Sequence, residues 1–485
     1  MKPILMVHGY STEGKDNTPD KIYGDLPAQL RKWLGAREVR EIDLSRWISL
    51  NDGITLDDVS FAMDRALRCD HPDLFKSGFN VIIHSTGALV ARNWIRRFSP
   101  RPGPVCNLVH LAGANFGSGL AHIGQGQLAR WGRSLFLGTD CGYRILDELE
   151  LGSSDTLDLH TYFLKDGTRM LEDYGVREYC IIGSQVPPAM RLMPIRYVKE
   201  DSSDSTVRTA AGNLNFNHVV ISPRDRAFNL TAEKNASLVE KRLKGHRIVD
   251  TNYYISGMSL SGDARRTPVP FAVVFETSHS GEKTGIVSGK ENRGEVMPLV
   301  KAALETPPDH DSYLAAGKLF AKAHASTFKR AAVLKKQFTD WEPRKQYEAH
   351  AQLIFRIRDQ NGAPVEHFDI YLRSRPSAQA ETRLETLIED KHLNRKTAGI
   401  ITFYLRTQRF KNSRWTDLLK NAAPLDLEIT GHEPLTGDIT YLPANIRLTP
   451  ENLRSMVKGF QTTVFDVTLV RLPSGNVFDV EQVRY

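Results

Sequence analysis

The sequence predicts an α/β protein with a mainly parallel sheet, followed by a second, all-β part with the character of a sandwich. Three observations carry that expectation. Short apolar runs at 4–7, 81–83, 105–112, 178–184 and 271–277 alternate with helical patterns, as in a parallel sheet covered on both faces. Thr306-Pro307-Pro308-Asp309 breaks that alternation, and a Lys/Ala-rich helix bridging outward is expected over 311–338. From residue 347 onward the pattern has period two, with strands expected at 352–358, 367–373, 399–405, 425–430, 464–472 and 477–480. The expected organisation is a first domain over 1–305, a helical linker over 306–345 and a β-sandwich-like domain over 346–485.

The first part reads in order as follows. A buried strand over residues 3–7 stops at His8-Gly9-Tyr10-Ser11. A helix is expected over 25–34 and a strand over 39–44. A second helix opens at Thr55, a good N-cap followed by Asp57 and Asp58 in the first turn, and runs to Arg68. The apolar run Val81-Ile82-Ile83 then ends at His84-Ser85-Thr86-Gly87, where a helical pattern begins with Leu89, Val90, Trp94 and Ile95. Val105–Ala112 is the next strand. Over 113–165 glycine-rich and aromatic pieces alternate with short amphipathic fragments, which reads as a lid or cap insertion, or equally as a helical crossover. Strands return at 178–184 and 271–277 around a polar stretch at 200–208, and a helix at 294–304 closes the part.

Composition narrows the function classes. A chain of 485 residues exceeds one ordinary domain, and 41% hydrophobic content supplies real cores. A net charge of +7 without dense Lys/Arg blocks suits approach to anionic surfaces such as phospholipid head groups and speaks against a nucleic-acid partner. Cys69, Cys106, Cys141 and Cys180 form no Cys-x-x-Cys pair, so neither a zinc site nor a redox motif is expected. Met1-Lys2-Pro3 leads straight into a strand, and no apolar stretch reaches the roughly 18 residues of a membrane span. The expectation is a soluble protein, cytoplasmic or exported by a leaderless route.

Strand, sharp turn with a serine, then helix is the setting of a nucleophile elbow. The serine hydroxyl ends exposed above the sheet edge, and the helix start offers free N–H groups to developing negative charge. Such a serine also serves as an ordinary N-cap, and Ile83 stands where the usual Gly-x-Ser-x-Gly pattern has its first glycine. A hydroxyl nucleophile needs a base, and the base an orienting acid. In an α/β-hydrolase these follow in the order serine, acid, histidine, each after a strand. Ser85 follows the 81–84 strand, Asp204 lies in the loop beyond the 178–184 strand, and His279 sits just past the 271–277 strand. Asp201, Glu200 and Asp225 compete for the acid, and His218 and His246 for the base. His279 is preferred because it directly follows a strong apolar strand and is flanked by Ser278, Ser280 and Gly281. His84 is read as a packing residue aimed away from the hydroxyl. The backbone N–H groups of Thr86 and Tyr10 are the expected oxyanion donors.

Val7-His8-Gly9, His84-Ser85-Thr86-Gly87 and Leu111-Ala112-Gly113-Ala114-Asn115-Phe116-Gly117-Ser118 resemble the corresponding segments of α/β-hydrolase lipases. The resemblance is to the branch of lecithin–cholesterol acyltransferase and GPI-inositol-deacylase-like enzymes. There a Leu-Ala-x-Pro-x-x-Gly-Ser segment follows the elbow helix, and Ala114 replaces the proline. Ser203-Asp204-Ser205-Thr206-Val207-Arg208 resembles the acid loop, usually Asp-Gly-x-Val, with Ser205 replacing the glycine. The likeness spans residues 1–300 and implies hydrolysis of a lipid or other acyl ester by Ser85, Asp204 and His279. A leaderless, basic, two-domain lipase is also similar in architecture to bacterial type VI lipase effectors.

The expected function is therefore a serine esterase or lipase, a phospholipase among the options, that needs no metal or organic cofactor. Its partners are a lipid or acyl-ester substrate, with the β-rich domain open to peripheral membrane contact or a protein partner. A weakly active binding protein on a hydrolase scaffold, or an amidase or thioesterase with the same triad, is the alternative.

Overall fold

The computed structural model describes residues 2–8, 23–35, 38–49, 53–123, 143–187, 190, 196–224, 258–335, 342–434 and 439–473. Among these residues the first sheet has six strands, all parallel: β1 (Ile4–His8), β2 (Val39–Asp43), β3 (Phe79–His84), β4 (Val105–Leu111), β5 (Arg177–Gly183) and β8 (Phe271–Val274), in the order β2-β1-β3-β4-β5-β8. β3 lies inside this sheet and every one of its residues is buried, which is why its sequence is nearly unbroken apolar. The expected alternation of strands with helices is met.

Each helix follows from local chemistry. α1 (Leu26–Leu34) carries proline in its first turn. α2 (Leu56–Asp70) starts at a reciprocal cap: Asp58 N–H donates to Thr55 Oγ1 at 3.3 Å, and Thr55 N–H donates to Asp58 Oδ2 at 2.9 Å. α3 (Gly87–Phe98) buries Ala88, Leu89, Val90, Ala91, Trp94 and Ile95 against the sheet. α4 (Tyr143–Leu149) and α5 (Ser154–Tyr162) fall within the stretch 113–165, of which residues 124–142 lie outside the described residues. α6 (Arg293–Glu305) closes the layer, and α7 (His310–Ala332) follows. α7 does not stand away as a bridge. Tyr313, Ala316, Phe320, Thr327 and Ala331 form a buried face. β8 is the last strand of its sheet, and its free side is met by α7: Val273 N–H donates to His324 Nδ1 at 3.2 Å and Thr327 Oγ1 donates to Val273 O at 2.8 Å. Side chains of one helix thus occupy an edge that would otherwise offer open backbone groups.

The β-rich part contributes β9 (His350–Asp359), β10 (His367–Ser374), β11 (Ile388–Leu393), β12 (Ile400–Arg406), β13 (Gln408–Lys411), β14 (Arg414–Asp417), β15 (Leu425–His432), β16 (Ile439–Leu442), β17 (Ala444–Leu448) and β18 (Thr462–Pro473). The strand expected at 477–480 lies outside the described residues. β6 (Asn217–Pro223) and β7 (Met258–Ala264), which precede β8 in the chain, leave the first sheet and join these strands. The second sheet runs β11-β12-β9-β18-β6-β7, with β16 also paired to β18, and β10-β15-β17 forms a third, antiparallel sheet. Side chains of the second and third sheets share one core that includes Phe355, Phe403, Phe465, Leu427 and Ile429. The parallel pairs β9–β18 and β18–β6 bring Val464 opposite both Ile354 and His218, so chain segments 110 and 246 residues apart are stitched together. No helix among the described residues is long and apolar enough to cross a membrane.

Candidate active site

The C-terminal ends of the first sheet's strands carry strained backbone. Ser85 after β3 has φ 52°, Ala112 after β4 has φ 49°, and Glu276 after β8 has φ 49°. Left-handed backbone in residues other than glycine costs energy and is held by the surrounding fold. At Ser85 the holding bonds are Ser85 N–H to Leu111 O at 3.2 Å and Ala114 N–H to Ser85 O at 3.2 Å. The second bond explains one departure from the lipase pattern: alanine at 114 supplies an N–H that a proline lacks. The other departure is equally physical. Ile83 fits beside the elbow: even a Cβ at Gly87 would stand 3.4 Å from Ile83 Cβ, an ordinary van der Waals contact.

Ser85, His279 and Asp204 meet at this edge. The distance from His279 Nε2 to Ser85 Oγ is 3.1 Å, and from His279 Nδ1 to Asp204 Oδ2 it is 3.0 Å. An ionised carboxylate only accepts, so Nδ1–H donates to Asp204 and Nε2 is left to accept the Ser85 hydroxyl proton. Asp204 Oδ1 accepts the N–H groups of Thr206 at 3.0 Å and Val207 at 2.7 Å, and His279 N–H donates to Asp204 O at 2.9 Å. Asp204 and the His279 ring are buried. That combination holds the imidazole in one tautomer and one orientation.

The competitors are elsewhere. Glu200 receives Arg208, and Asp201 faces Gln346 and Arg406, with its carboxyl pushed up by burial. His218 lies on β6 in the second sheet, paired with Asp466 at 2.8 Å. Asp225 and His246 lie outside the described residues, as does Tyr10, so the second oxyanion donor is not located. Thr86 is the N-cap of α3, where its N–H has no intrahelical partner.

His84 is a packing residue with a polar contact. Its ring packs on that of His279 with centroids 4.7 Å apart, and its Nε2–H donates to His279 O at 3.2 Å. Burial, and then the neighbouring His279, push its pKa well down, so it is a neutral donor. His84 thus packs as expected, and its hydrogen bond to the His279 carbonyl adds a contact that the sequence did not announce.

Ser205, next to Asp204, has φ 85°, a left-handed conformation that favours glycine, and its buried Oγ has no hydrogen-bond partner among the described residues. Ser118, from the segment after β4, donates its Oγ to Thr206 O at 2.5 Å, and Phe116 N–H donates to Ala211 O at 3.0 Å. The segment that resembles the lipase pattern therefore braces the loop that carries Asp204.

No family model and no curated protein matches the chain. Among solved structures it is similar to phospholipase PlaB from Legionella pneumophila, with a TM-score of 0.77 and 22% identity over 100% of this chain and 96% of that one. The fold is that of PlaB. A second structure of that phospholipase, in complex with thio-NAD, gives a TM-score of 0.75 and 21% identity over 100% of this chain and 97% of that chain. The likeness covers the whole chain, so the fold class expected from the sequence, an α/β-hydrolase with a C-terminal β domain, is the one observed.

Proposed function

We propose that this chain is a serine hydrolase that cleaves carboxylic esters of lipids, phospholipids foremost, through an acyl-enzyme on Ser85. The observation that carries this reading is the unbroken hydrogen-bond series from Ser85 Oγ through His279 to Asp204, set at the strand ends of a parallel sheet. His279 Nε2 takes the Ser85 proton as Oγ attacks the ester carbonyl, and Asp204 stabilises the imidazolium that results. The N–H groups of Thr86 and Tyr10 receive the oxyanion, each donor worth on the order of a hundredfold or more in rate. His279 returns the proton to the leaving alcohol, and water then releases the acyl group by the same steps in reverse roles. No metal or cofactor enters this scheme.

The lipid class is supported by the PlaB-like fold, by the likeness of residues 111–118 and 203–208 to the lecithin–cholesterol acyltransferase and GPI-inositol-deacylase branch, and by the net charge of +7, which favours an anionic bilayer. Peripheral membrane contact and the division at 305 and 346 belong to the same proposal, with β6 and β7 lent to the second sheet. The test is fluorophosphonate labelling of the full chain, with fatty-acid release from vesicles of phosphatidylcholine and phosphatidylglycerol. Ser85→Ala abolishes both while leaving the melting curve in place; labelling that persists in the variant overturns the assignment.

A further inference from the structure

The loop that carries Asp204 has two neighbours, and the second is the β-rich part. Among the described residues Asp204 Oδ1 is held by N–H groups of its own loop, Thr206 and Val207, so the carboxylate goes where the loop goes. The loop in turn is gripped by β11 and β12. Arg208 Nε and Nη2 donate to Glu200 at 2.8 and 2.6 Å, and Nη2 also donates to Asp390 Oδ2 on β11 at 2.6 Å. The guanidinium lies 4.2 Å from the ring centre of Tyr404 on β12. Tyr404 Oη donates to Asp201 O at 2.8 Å and reaches Ser202 O at 3.1 Å. Ser202 has φ 54°, and its N–H donates to Gln346 O at 3.2 Å. Arg208, Asp390 and Tyr404 are all buried.

A buried ion pair is a poor way to gain stability, because apolar side chains of the same volume hold a fold as well or better without the desolvation cost. What the pair supplies is a defined place and angle. Glu200, Asp390 and Tyr404 define where Arg208 sits, and the bridge from Ser203 to Arg208 spans the turn that contains Asp204. We propose that Arg208, Asp390 and Tyr404 are positioning residues that aim Asp204 at His279, so that the second sheet is a working part of the site and not an appended binding module. This rests on the triad reading of Ser85, His279 and Asp204.

The test uses Tyr404→Phe in the full chain, which removes one hydroxyl and keeps the ring beside Arg208. With a p-nitrophenyl ester, kcat is expected to fall about tenfold or more with KM within about twofold, since displacement by an ångström or less is costly at a reacting site. In an Asp204→Asn background the same change is expected to cost nothing further, because the group it positions is already disabled. An equal loss in both backgrounds, or no loss in the wild-type chain, overturns the proposal. A readout that needs no turnover is the downfield proton resonance of His279 Nδ1–H, identified by its loss in Asp204→Asn. It is expected to shift or broaden in Tyr404→Phe, and an unchanged resonance, or a wild-type chain without one, sinks the idea. Where Tyr404→Phe does not fold, Arg208→Lys, which keeps the charge and loses the two-pronged contact to Glu200, carries the same expectations. Failure of the wild-type chain to label or to hydrolyse esters strikes the function reading, whereas a normal wild type with an indifferent Tyr404→Phe strikes this one alone.

Discussion

The elbow at Ser85 and the loop at Asp204 solve the same problem, holding a side chain of the proposed triad on or beside strained backbone, by opposite means. Ser85 is held by its neighbours in the chain and in one sheet: a buried strand behind it, a helix ahead of it, and backbone bonds to Leu111 and Ala114. The loop that carries Asp204 is held from far away, by the side chains of Asp390 and Tyr404 and the backbone carbonyl of Gln346, each more than a hundred residues distant. Local geometry suffices where a strand and helix define a direction. A loop between sheets has none, and buried polar contacts must supply it.

Removing the groups themselves should produce the largest effects. Ser85→Ala or His279→Ala is expected to lower kcat on the order of a millionfold, and Asp204→Asn on the order of ten-thousandfold, because a serine–histidine pair keeps part of its function with the imidazole unoriented. Steady-state kinetics with a soluble ester decide this, and an Asp204→Asn loss below about tenfold would make the acid loop a structural feature. Gly183→Ala comes next. A Cβ there would stand 1.9 Å from Thr277 O, a backbone atom two residues before His279. Thr277 is tied to Gln185 and Asn292, so it cannot move aside freely. A melting temperature lower by about 5 °C or more is expected, with a fall in kcat as His279 shifts.

These contrasts also explain what the sequence disclosed. The run at 81–83 followed by helical spacing from Ala88 places Ser85 at a junction, and the apolar strand before Ser278 places His279 beside it, because both depend on near neighbours. The parallel sheet was legible for the same reason. The crossing of β6 and β7 into the second sheet was not: Asn217–Pro223 is only partly apolar, and its partner β18 begins at Thr462. Nor was the grip on Arg208, since a lone arginine after the acid loop names no partner until the sheets are packed. The role of His84 depends on a carbonyl 195 residues away in the chain.

A smaller effect separates the first sheet's edge from its centre. His324 accepts the Val273 N–H through Nδ1, and burial lowers its pKa to about 4. Only the neutral ring accepts there. The folded value lies below the unfolded one of about 6.5, so the contribution is fully present above pH ~6.5 and is lost as pH falls through about 4. Melting temperatures taken from pH 7 to pH 4.5 should fall more steeply for the wild-type chain than for His324→Asn, whose side-chain oxygen still accepts but does not titrate in that range. Equal slopes would mean that the α7 contact is not what stabilises this edge.

The smallest effect tests whether strain at the acid loop is needed or merely tolerated. Ser205 occupies left-handed backbone at φ 85° and buries a hydroxyl without a partner among the described residues, two costs on one residue. Ser205→Gly removes both, at the expense of greater freedom in the unfolded chain, and should raise the melting temperature by about 1–3 °C. Ser205→Ala removes only the hydroxyl and keeps a Cβ in the left-handed region, so it should gain less than the glycine. Calorimetry on the pair separates the two costs. At Ser85 the same backbone conformation aims the proposed nucleophile, which a glycine there would remove. If Ser205→Gly lowers stability, the serine is fixed by a contact at its hydroxyl, and the acid loop resembles the elbow more closely than its geometry indicates.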